Sequence, residues 1–523
     1  MADRRGALVG LAAAALALAV AEVLALVTGP RSSPLAAVGA VVVDSAPEPV
    51  TRFGIAVFGV HNRLALQVGT LVLLAGFAAV IGLLGVRRWW VGPAGIAAFT
   101  AIGAAAALSR HDATPLAAAP TVAGALAAAG LFLLLRRQLI RAYGHPHLAL
   151  IMDYSRRHAD DTPTENHDQH EEARRWFLRA AGITIGAAAL AGIAGRWLST
   201  RRLVSGERDA TALPAPADTA PPVPAGADLA LPGLAAYVTS NRDFYRIDTA
   251  LVVPRIDPRE WRLRVHGRVR RSYELSFDDL LARPMLERFI TLACVSNQIG
   301  GDLVGNARWL GVPVADLLAE AGPLPGADQV VSRSVDGWTC GTPTGVLTDG
   351  RDALLAVAMN GRPLPLEHGF PVRMVVPGLY GYVSACKWIT EIELSSFDDY
   401  DAYWVPRGWA PRAPIKTQSR IDVPRGRVDS GPVTVAGVAW APHTGIDRVE
   451  VRVDEGPWHR ADLAETVSAD TWRQWSWRWQ AAPGTHRLTV RATDASGLTQ
   501  PQERTPVAPD GATGWHTVRV EVD

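Results

Sequence analysis

Thr291-Leu292-Ala293-Cys294-Val295-Ser296-Asn297, continuing through Gly300-Gly301 to Asn306-Ala307-Arg308-Trp309-Leu310-Gly311-Val312-Pro313, is the stretch on which the fold turns. It offers a cysteine on a polar, glycine-bearing loop. A lone cysteine is by default a small buried hydrophobe, and the chain holds only Cys294, Cys340 and Cys386, too few and too odd a number for a disulfide scaffold. What surrounds Cys294 therefore decides its role.

Outward from it, residues 237–405 alternate short apolar strand-like runs (Arg262–Val265, Gly369–Val376, Trp388–Leu394) with helical stretches at 276–283 and 312–321, the pattern of a mixed α+β domain. From 410 to 523 the pattern is strands only: Val433–Trp440, Arg448–Val453, Trp472–Trp479, Arg487–Ala492 and Thr517–Val522, separated by turn residues. Short alternating strands at this spacing predict an immunoglobulin-like β-sandwich. Trp475, Trp477 and Trp479 share one strand face, as a core or subunit-interface stripe would.

Upstream, residues 199–236 are dense in Pro and Ala and make an extended tether. The first 198 residues belong to a membrane. A helical span needs about 20 apolar residues, and 6–28, 64–86, 90–108, 115–135 and 177–197 qualify, whereas 35–58 carries Asp44, Pro47, Glu48, Pro49 and Arg52 and is expected as an interfacial or loop segment. This gives a four-helix transmembrane region over 1–141, a polar cytoplasmic linker over 142–176 and a fifth helix over 177–198. Arg4-Arg5, Arg87-Arg88, Arg136-Arg137-Arg141 and Arg174-Arg175-Arg179 all fall on one side with the N-terminus inside, so the chain beyond 198 is expected outside the cytoplasm. Arg174-Arg175-Trp176-Phe177-Leu178-Arg179 before an Ala/Gly-rich run resembles a twin-arginine export signal, which serves proteins folded around a cofactor before export. No histidine sits at mid-depth in a span, which argues against membrane haem. The spans are expected to act as an anchor and a docking surface.

At 523 residues the chain has room for two or three folded parts. Lys plus Arg (52) and Asp plus Glu (51) nearly balance without long like-charge blocks, which removes nucleic acid as a partner.

The Cys294 segment resembles the cofactor-ligating stretch of the sulfite oxidase family of molybdopterin proteins. A second segment, Met359-Asn360-Gly361-Arg362-Pro363-Leu364-Pro365-Leu366-Glu367-His368-Gly369-Phe370-Pro371-Val372-Arg373, then Val376-Pro377-Gly378, Tyr380-Gly381 and Lys387-Trp388, is similar to the family's pattern in order and spacing. A third, Asn241-Arg242-Asp243-Phe244-Tyr245-Arg246, is similar to the point where the family's chain enters the cofactor site. The resemblance covers about 240–523. It implies three parts: an N-terminal all-α transmembrane bundle outside its reach, an α+β molybdopterin-binding domain of the sulfite oxidase type, and a C-terminal immunoglobulin-like β-sandwich that commonly forms a homodimer interface.

By this resemblance Cys294 is the protein's thiolate ligand to molybdenum, a soft donor suited to the metal. His368, Arg373 and Lys387 are expected at the pterin's phosphate, where charge-assisted hydrogen bonds are needed. Asn241, Tyr245, Arg246, Asn297, Arg308 and Cys386 complete the expected cofactor-binding set, Cys386 with its backbone toward the cofactor and its side chain packed. Cys340 is expected as a buried structural thiol; a disulfide between it and Cys386 is left open by the sequence.

Two positions depart from the enzymes that oxidise sulfite. Their anion-holding arginine after the ligand cysteine is missing here, where Asn297 is followed by Gln298 and Ile299, and their active-site tyrosine aligns with Trp338, which has only an indole N–H to donate. A less charged pocket suits a small-molecule or protein sulfoxide better than a dianion, and the family's methionine sulfoxide reductases give the precedent. The expectation is oxygen-atom transfer by an anchored extracytoplasmic oxidoreductase. No cytochrome segment is visible in the sequence, so a separate redox partner is expected. The competing reading is a non-catalytic anchored protein that recognises a partner through the β-sandwich.

Overall fold

The computed structural model describes residues 2–29, 32–45, 62–109, 113–143, 204–250 and 252–523, with positions 50, 57, 175, 179–187 and 190 between them. They form two compact units, one of residues 1–202 with 250–252 and one of 203–249 with 253–523.

The first unit is helical. Its runs of Ala, Leu and Val satisfy their backbone groups internally as α1 (Ala2–Thr28), α2 (Pro34–Ser45), α3 (Asn62–Arg87), α4 (Val91–Leu108) and α5 (Ala119–Tyr143). Among the described residues four stretches, Arg5–Ala25, Ala65–Arg87, Val91–Leu108 and Pro115–Ile140, are long and apolar enough to cross a membrane. Small residues let the helices touch backbone to backbone: a Cβ on Gly10 would lie 1.9 Å from Ala78 O, one on Gly82 2.3 Å from Gly6 O, and one on Gly124 2.4 Å from Ala17 O. The interfacial segment expected at 35–58 contains a 12-residue helix, α2, which is too short to span. Of the expected fifth span, 179–187 and 190 are helical, with Ala181 buried among the other helices. The twin-arginine-like motif and the linker before it lie outside the described residues, apart from Arg175 and Arg179.

The second unit begins its sheets with β1 (Arg262–Gly267), β2 (Tyr273–Ser276), β3 (Leu286–Ala293), β4 (Val304–Pro313), β5 (Gln329–Ser334), β6 (Thr339–Pro343), β7 (Leu354–Met359), β8 (Arg362–Pro363), β9 (Arg373–Val375) and β10 (Ile389–Ser395). One sheet runs β2-β1-β10-β5-β6, with β1 and β10 parallel; the other runs β3-β4-β7-β8, with β9 on β7. Helices Phe277–Leu281 and Val314–Ala321 stand where the apolar spacing predicts them. The strand expected over Gly369–Val376 is only Arg373–Val375, because Gly369 takes a left-handed φ of +112° and Pro371 has no N–H to give a ladder.

Beyond it lie β11 (Gln418–Val423), β12 (Gly426–Val428), β13 (Gly431–Trp440), β14 (Ile446–Val453), β15 (His459–Arg460), β16 (Asp462–Leu463), β17 (Arg473–Ala481), β18 (Gly484–Asp494) and β19 (His516–Val522). They form two sheets, β11-β13-β17-β16 and β12-β19-β18-β14-β15. Trp475 and Trp479 are buried in the core these sheets share, and Trp477 packs at its edge, which makes the tryptophan stripe a core feature.

Candidate active site

Strands β3 and β4 pair up to Ala293 and Val304, and Cys294 is the first residue past that ladder. The chain then closes a tight loop. Cys294 N donates to Leu303 O at 2.9 Å, Asn297 N to Cys294 O at 3.0 Å and Gly301 N to Gln298 O at 2.8 Å. Asn297 Oδ1 accepts Leu303 N at 2.9 Å. Gly300, at φ +77°, makes the reversal a side chain would resist. The Cys294 thiol is buried, and burial pushes its pKa up against hydrogen bonds from Ser296 and the charge of Lys387. Such a thiol stays protonated until a cation binds it.

A second group is built around Gly369. A Cβ on this glycine would lie 3.0 Å from Arg373 Cβ and 3.2 Å from Lys387 Cα, so its absence lets the turn sit on both cations. Arg373 and Lys387 are bridged across an isolated backbone pair. Lys387 Nζ donates to Asp248 Oδ2 and to Glu367 O, each at 3.0 Å, and Asp248 also holds Arg246 Nε at 3.0 Å. Arg373 Nη1 donates to His368 O at 3.2 Å, and the guanidinium lies 5.1 Å from the Trp309 ring centroid. His368 Nε2 faces Asn241 O at 3.0 Å, so that nitrogen carries the hydrogen.

Burial weakens His368, Lys387 and Arg373 as cations, and repulsion from neighbouring cations adds to it at His368 and Lys387. His368 is held down to about 3 by burial and by Lys387 and Arg373. Lys387 is lowered to about 8 by burial, against the pull of Asp248, and Arg373 to about 10. An anion is what such a group lacks.

The two groups meet at Tyr245, whose ring stacks on Phe244 at 5.1 Å. Its phenol lies within electrostatic reach of Cys294 and Arg373, and burial followed by Cys294 pushes its pKa well up. Tyr380 is raised likewise by burial, with Cys294 contributing. Both phenols therefore keep their protons beside the thiol.

Three buried polar atoms in this region have no partner in the protein: Asn297 Nδ2, His368 Nδ1 and Arg373 Nε. Each such group costs about 1–3 kcal/mol, and their gathering around one loop and one turn is the mark of a ligand that completes them. A molybdopterin fits this set: Asn297 Nδ2 and Arg373 Nε have hydrogens to donate, His368 Nδ1 gains one when an anion beside it draws a proton to the ring, and the metal suits Cys294. Among the described residues no group of three or more His, Cys, Asp or Glu side chains could hold a metal ion by itself. A single thiolate beside an organic chelate matches that donor set.

The structure brings Cys294, Asn297, Asn241, Tyr245, Arg246, His368, Arg373 and Lys387 into this region. Asn241 acts as scaffold, its amide donating to Met359 O at 3.1 Å and accepting from Asn360 at 2.7 Å. Arg308 stands apart, paired with Glu287 at 3.3 Å and close to Gly361. The Cys386 carbonyl accepts Met374 N at 2.8 Å, which ties β9 to the segment that carries Lys387. The Cys386 thiol hydrogen-bonds that of Cys340, and both are free and buried. Trp338 sits on the β5–β6 hairpin, packed against the domain core, with its backbone N–H donating to Asp336 Oδ1 at 3.2 Å. Asp248, Asn360 and Trp309 were not singled out by the sequence. Asp248 had a signal, two residues after Arg246 in a segment otherwise rich in cations; Trp309 under Arg373 had none.

The family model described as the oxidoreductase molybdopterin binding domain matches residues 250–404. Mitochondrial sulfite oxidase of Mus musculus is 32% identical over 340 residues, covering 55% of this chain and 62% of that protein. The oxidoreductase YuiH of Bacillus subtilis (strain 168) is 36% identical over 158 residues, covering 30% of this chain and 75% of that protein. The solved structure of the sulfane dehydrogenase SoxCD from Paracoccus pantotrophus aligns with a TM-score of 0.49 at 23% identity, covering 56% of this chain and 85% of that one. The chain thus spans 62% of the length of the mouse sulfite oxidase and three quarters of YuiH. By sequence and by the donors it assembles, this chain belongs to the sulfite oxidase family of molybdopterin-dependent oxidoreductases.

Proposed function

We propose that the chain is a membrane-anchored, extracytoplasmic oxygen-atom-transfer enzyme acting on a neutral, sulfoxide-type substrate. The observation that carries the choice of substrate is the loop after the thiol, where the exposed Gln298 stands in place of the sulfite-binding arginine of relatives of the sulfite-oxidising kind. Lys387 and Arg373 are taken up by the anionic end of the cofactor in this reading, so a dianionic substrate would find little further charge.

When bound, the cofactor supplies a metal that exchanges one oxygen atom with substrate and two electrons with a carrier. The protein's share is orientation and electrostatics. Cys294 gives up its proton to become a ligand; Lys387, Arg373 and His368 hold the anionic end; Asn297 offers Nδ2 as a donor; and Tyr245 keeps a phenolic hydrogen beside Cys294, from which it can bond to a substrate oxygen. Electrons pass to or from a separate redox protein. The four apolar helices support anchoring, and the two C-terminal sheets support an immunoglobulin-like sandwich that forms a homodimer.

Full-length protein from a host that makes the cofactor should contain molybdenum and oxidise a reduced dye with methionine sulfoxide or dimethyl sulfoxide far faster than it reduces an oxidised dye with sulfite. Absence of molybdenum would sink the cofactor assignment. Turnover confined to sulfite would sink the choice of substrate.

A further inference from the structure

The loop that carries Cys294 is braced from the C-terminal sheets. Arg420, on β11, donates from Nη1 to Gly301 O at 2.7 Å. Its Nε and Nη2 are held by Asp422 at 2.7 and 3.3 Å, and both side chains are buried. His516, at the start of β19, lays its ring on Gly300 so closely that a Cβ there would meet Nε2 and Cδ2 at 2.2 Å. Its Nδ1 accepts Ile421 N at 3.0 Å, which ties the ring to the strand of Arg420. On the other side of Cys294, Thr291 N donates to Asp470 O at 2.9 Å, and Thr291 Oγ1 accepts Trp472 N at 2.8 Å.

The loop needs such a brace. Gly300-Gly301 is the most freely rotating dipeptide a chain can contain, so without outside contacts its peptides would flip at little cost. A flip would be felt at once, because a Cβ on Gly301 would lie only 2.5 Å from Asn297 Oδ1, the atom that accepts Leu303 N and closes the loop. Charge and shape make the brace specific: a buried guanidinium fixes the direction of one carbonyl, and an imidazole that stays neutral walls off the space beside the other glycine.

We infer that Arg420 and His516 are positioning residues for the active site, fixing through Gly300 and Gly301 the direction in which Cys294 and Asn297 are presented. The C-terminal sheets are then part of the catalytic apparatus as well as a neighbouring domain. The inference rests on the reading of Cys294 as the metal ligand.

The test uses the full-length, cofactor-loaded protein in four variants. Arg420→Met with Asp422→Asn removes the buried charge pair together, so that no lone carboxylate is left. His516→Ala removes the wall without changing charge, and decides the matter if the charge pair proves necessary for folding. Cys294→Ser serves as reference. Molybdenum content, melting, the thiolate-to-molybdenum absorption band and the Mo(V) paramagnetic signal are read together. The expected result is retained molybdenum and a cooperative melt, with a displaced band, a heterogeneous Mo(V) signal and turnover lower by about 10- to 100-fold, the usual effect of outer-shell partners. Arg420→Lys should recover part of it. A wild-type band and signal in a folded, loaded His516→Ala or charge-pair variant would overturn the inference. A band unchanged in Cys294→Ser would instead overturn the ligand reading on which it rests.

Discussion

Around Cys294 the loop is closed by backbone bonds, one amide side chain and two glycines, while around Lys387 two cationic side chains and the His368 ring are buried within reach of one another and of the Asp248 carboxylate. The first region fixes a direction and the second stores an unmet demand for negative charge. The difference has a physical cause. A metal ligand must point along one line, which hydrogen-bond geometry sets well, whereas a phosphate needs several donors and repays the cost of burying them when it arrives.

The comparison breaks most visibly at Lys387. Lys387→Met takes from the buried Asp248 carboxylate its buried cationic partner, which should cost about 3–5 kcal/mol of stability as well as the cofactor. Adding Asp248→Asn should restore the melting temperature but leave molybdenum content low. Recovery of both would mean that the pair is structural only. Arg373→Lys keeps the charge and loses the planar fork, so it should fold normally and retain cofactor about 10- to 100-fold less firmly in a competition with free chelator.

Acid sharpens the contrast. His368 and His516 have folded-state values of about 3 and about 4 against 6.5 for the free side chain. The unfolded chain therefore takes up their protons first. Their contribution is fully present above about pH 6.5 and is lost as pH falls from there toward 4 and 3, at up to about 1.4 kcal/mol per pH unit for each. Cofactor-free protein should show both losses in melts between pH 7 and 4. With an anion beside His368, that residue's share should shrink and the share of His516 remain. Equal slopes in the two forms would detach His368 from the anion. The smallest effect is expected at Arg308, whose half-exposed pair with Glu287 lies apart from the turn: Arg308→Ala should change stability by under about 1 kcal/mol and molybdenum content not at all.

Much of this site was legible because it is written in contiguous segments. Cys294 through Pro313 and Met359 through Arg373 each contain their own turn, glycine and ligand, so local sequence carries the geometry. The four described spans were legible for the same reason, since hydropathy is a local sum. Arg308 and Cys386 show the limit: both sit inside matching motifs, but the motif does not say that Arg308 pairs with Glu287 or that the Cys386 carbonyl accepts Met374 N. Asp248, Arg420 and His516 show the opposite failure: their partners lie 139, 119 and more than 200 positions away, and only the packed sheets bring them together. The strand at Gly369–Val376 is shorter than its apolar composition predicts, because the glycine and the proline keep the first residues out of the ladder.

The central claim is that Cys294 supplies sulfur to molybdenum. X-ray absorption at the molybdenum edge, on wild-type and Cys294→Ser proteins matched for metal content, tests it most directly. The account predicts one sulfur neighbour fewer in the variant and an oxygen neighbour or a vacancy in its place. An unchanged sulfur count would contradict it.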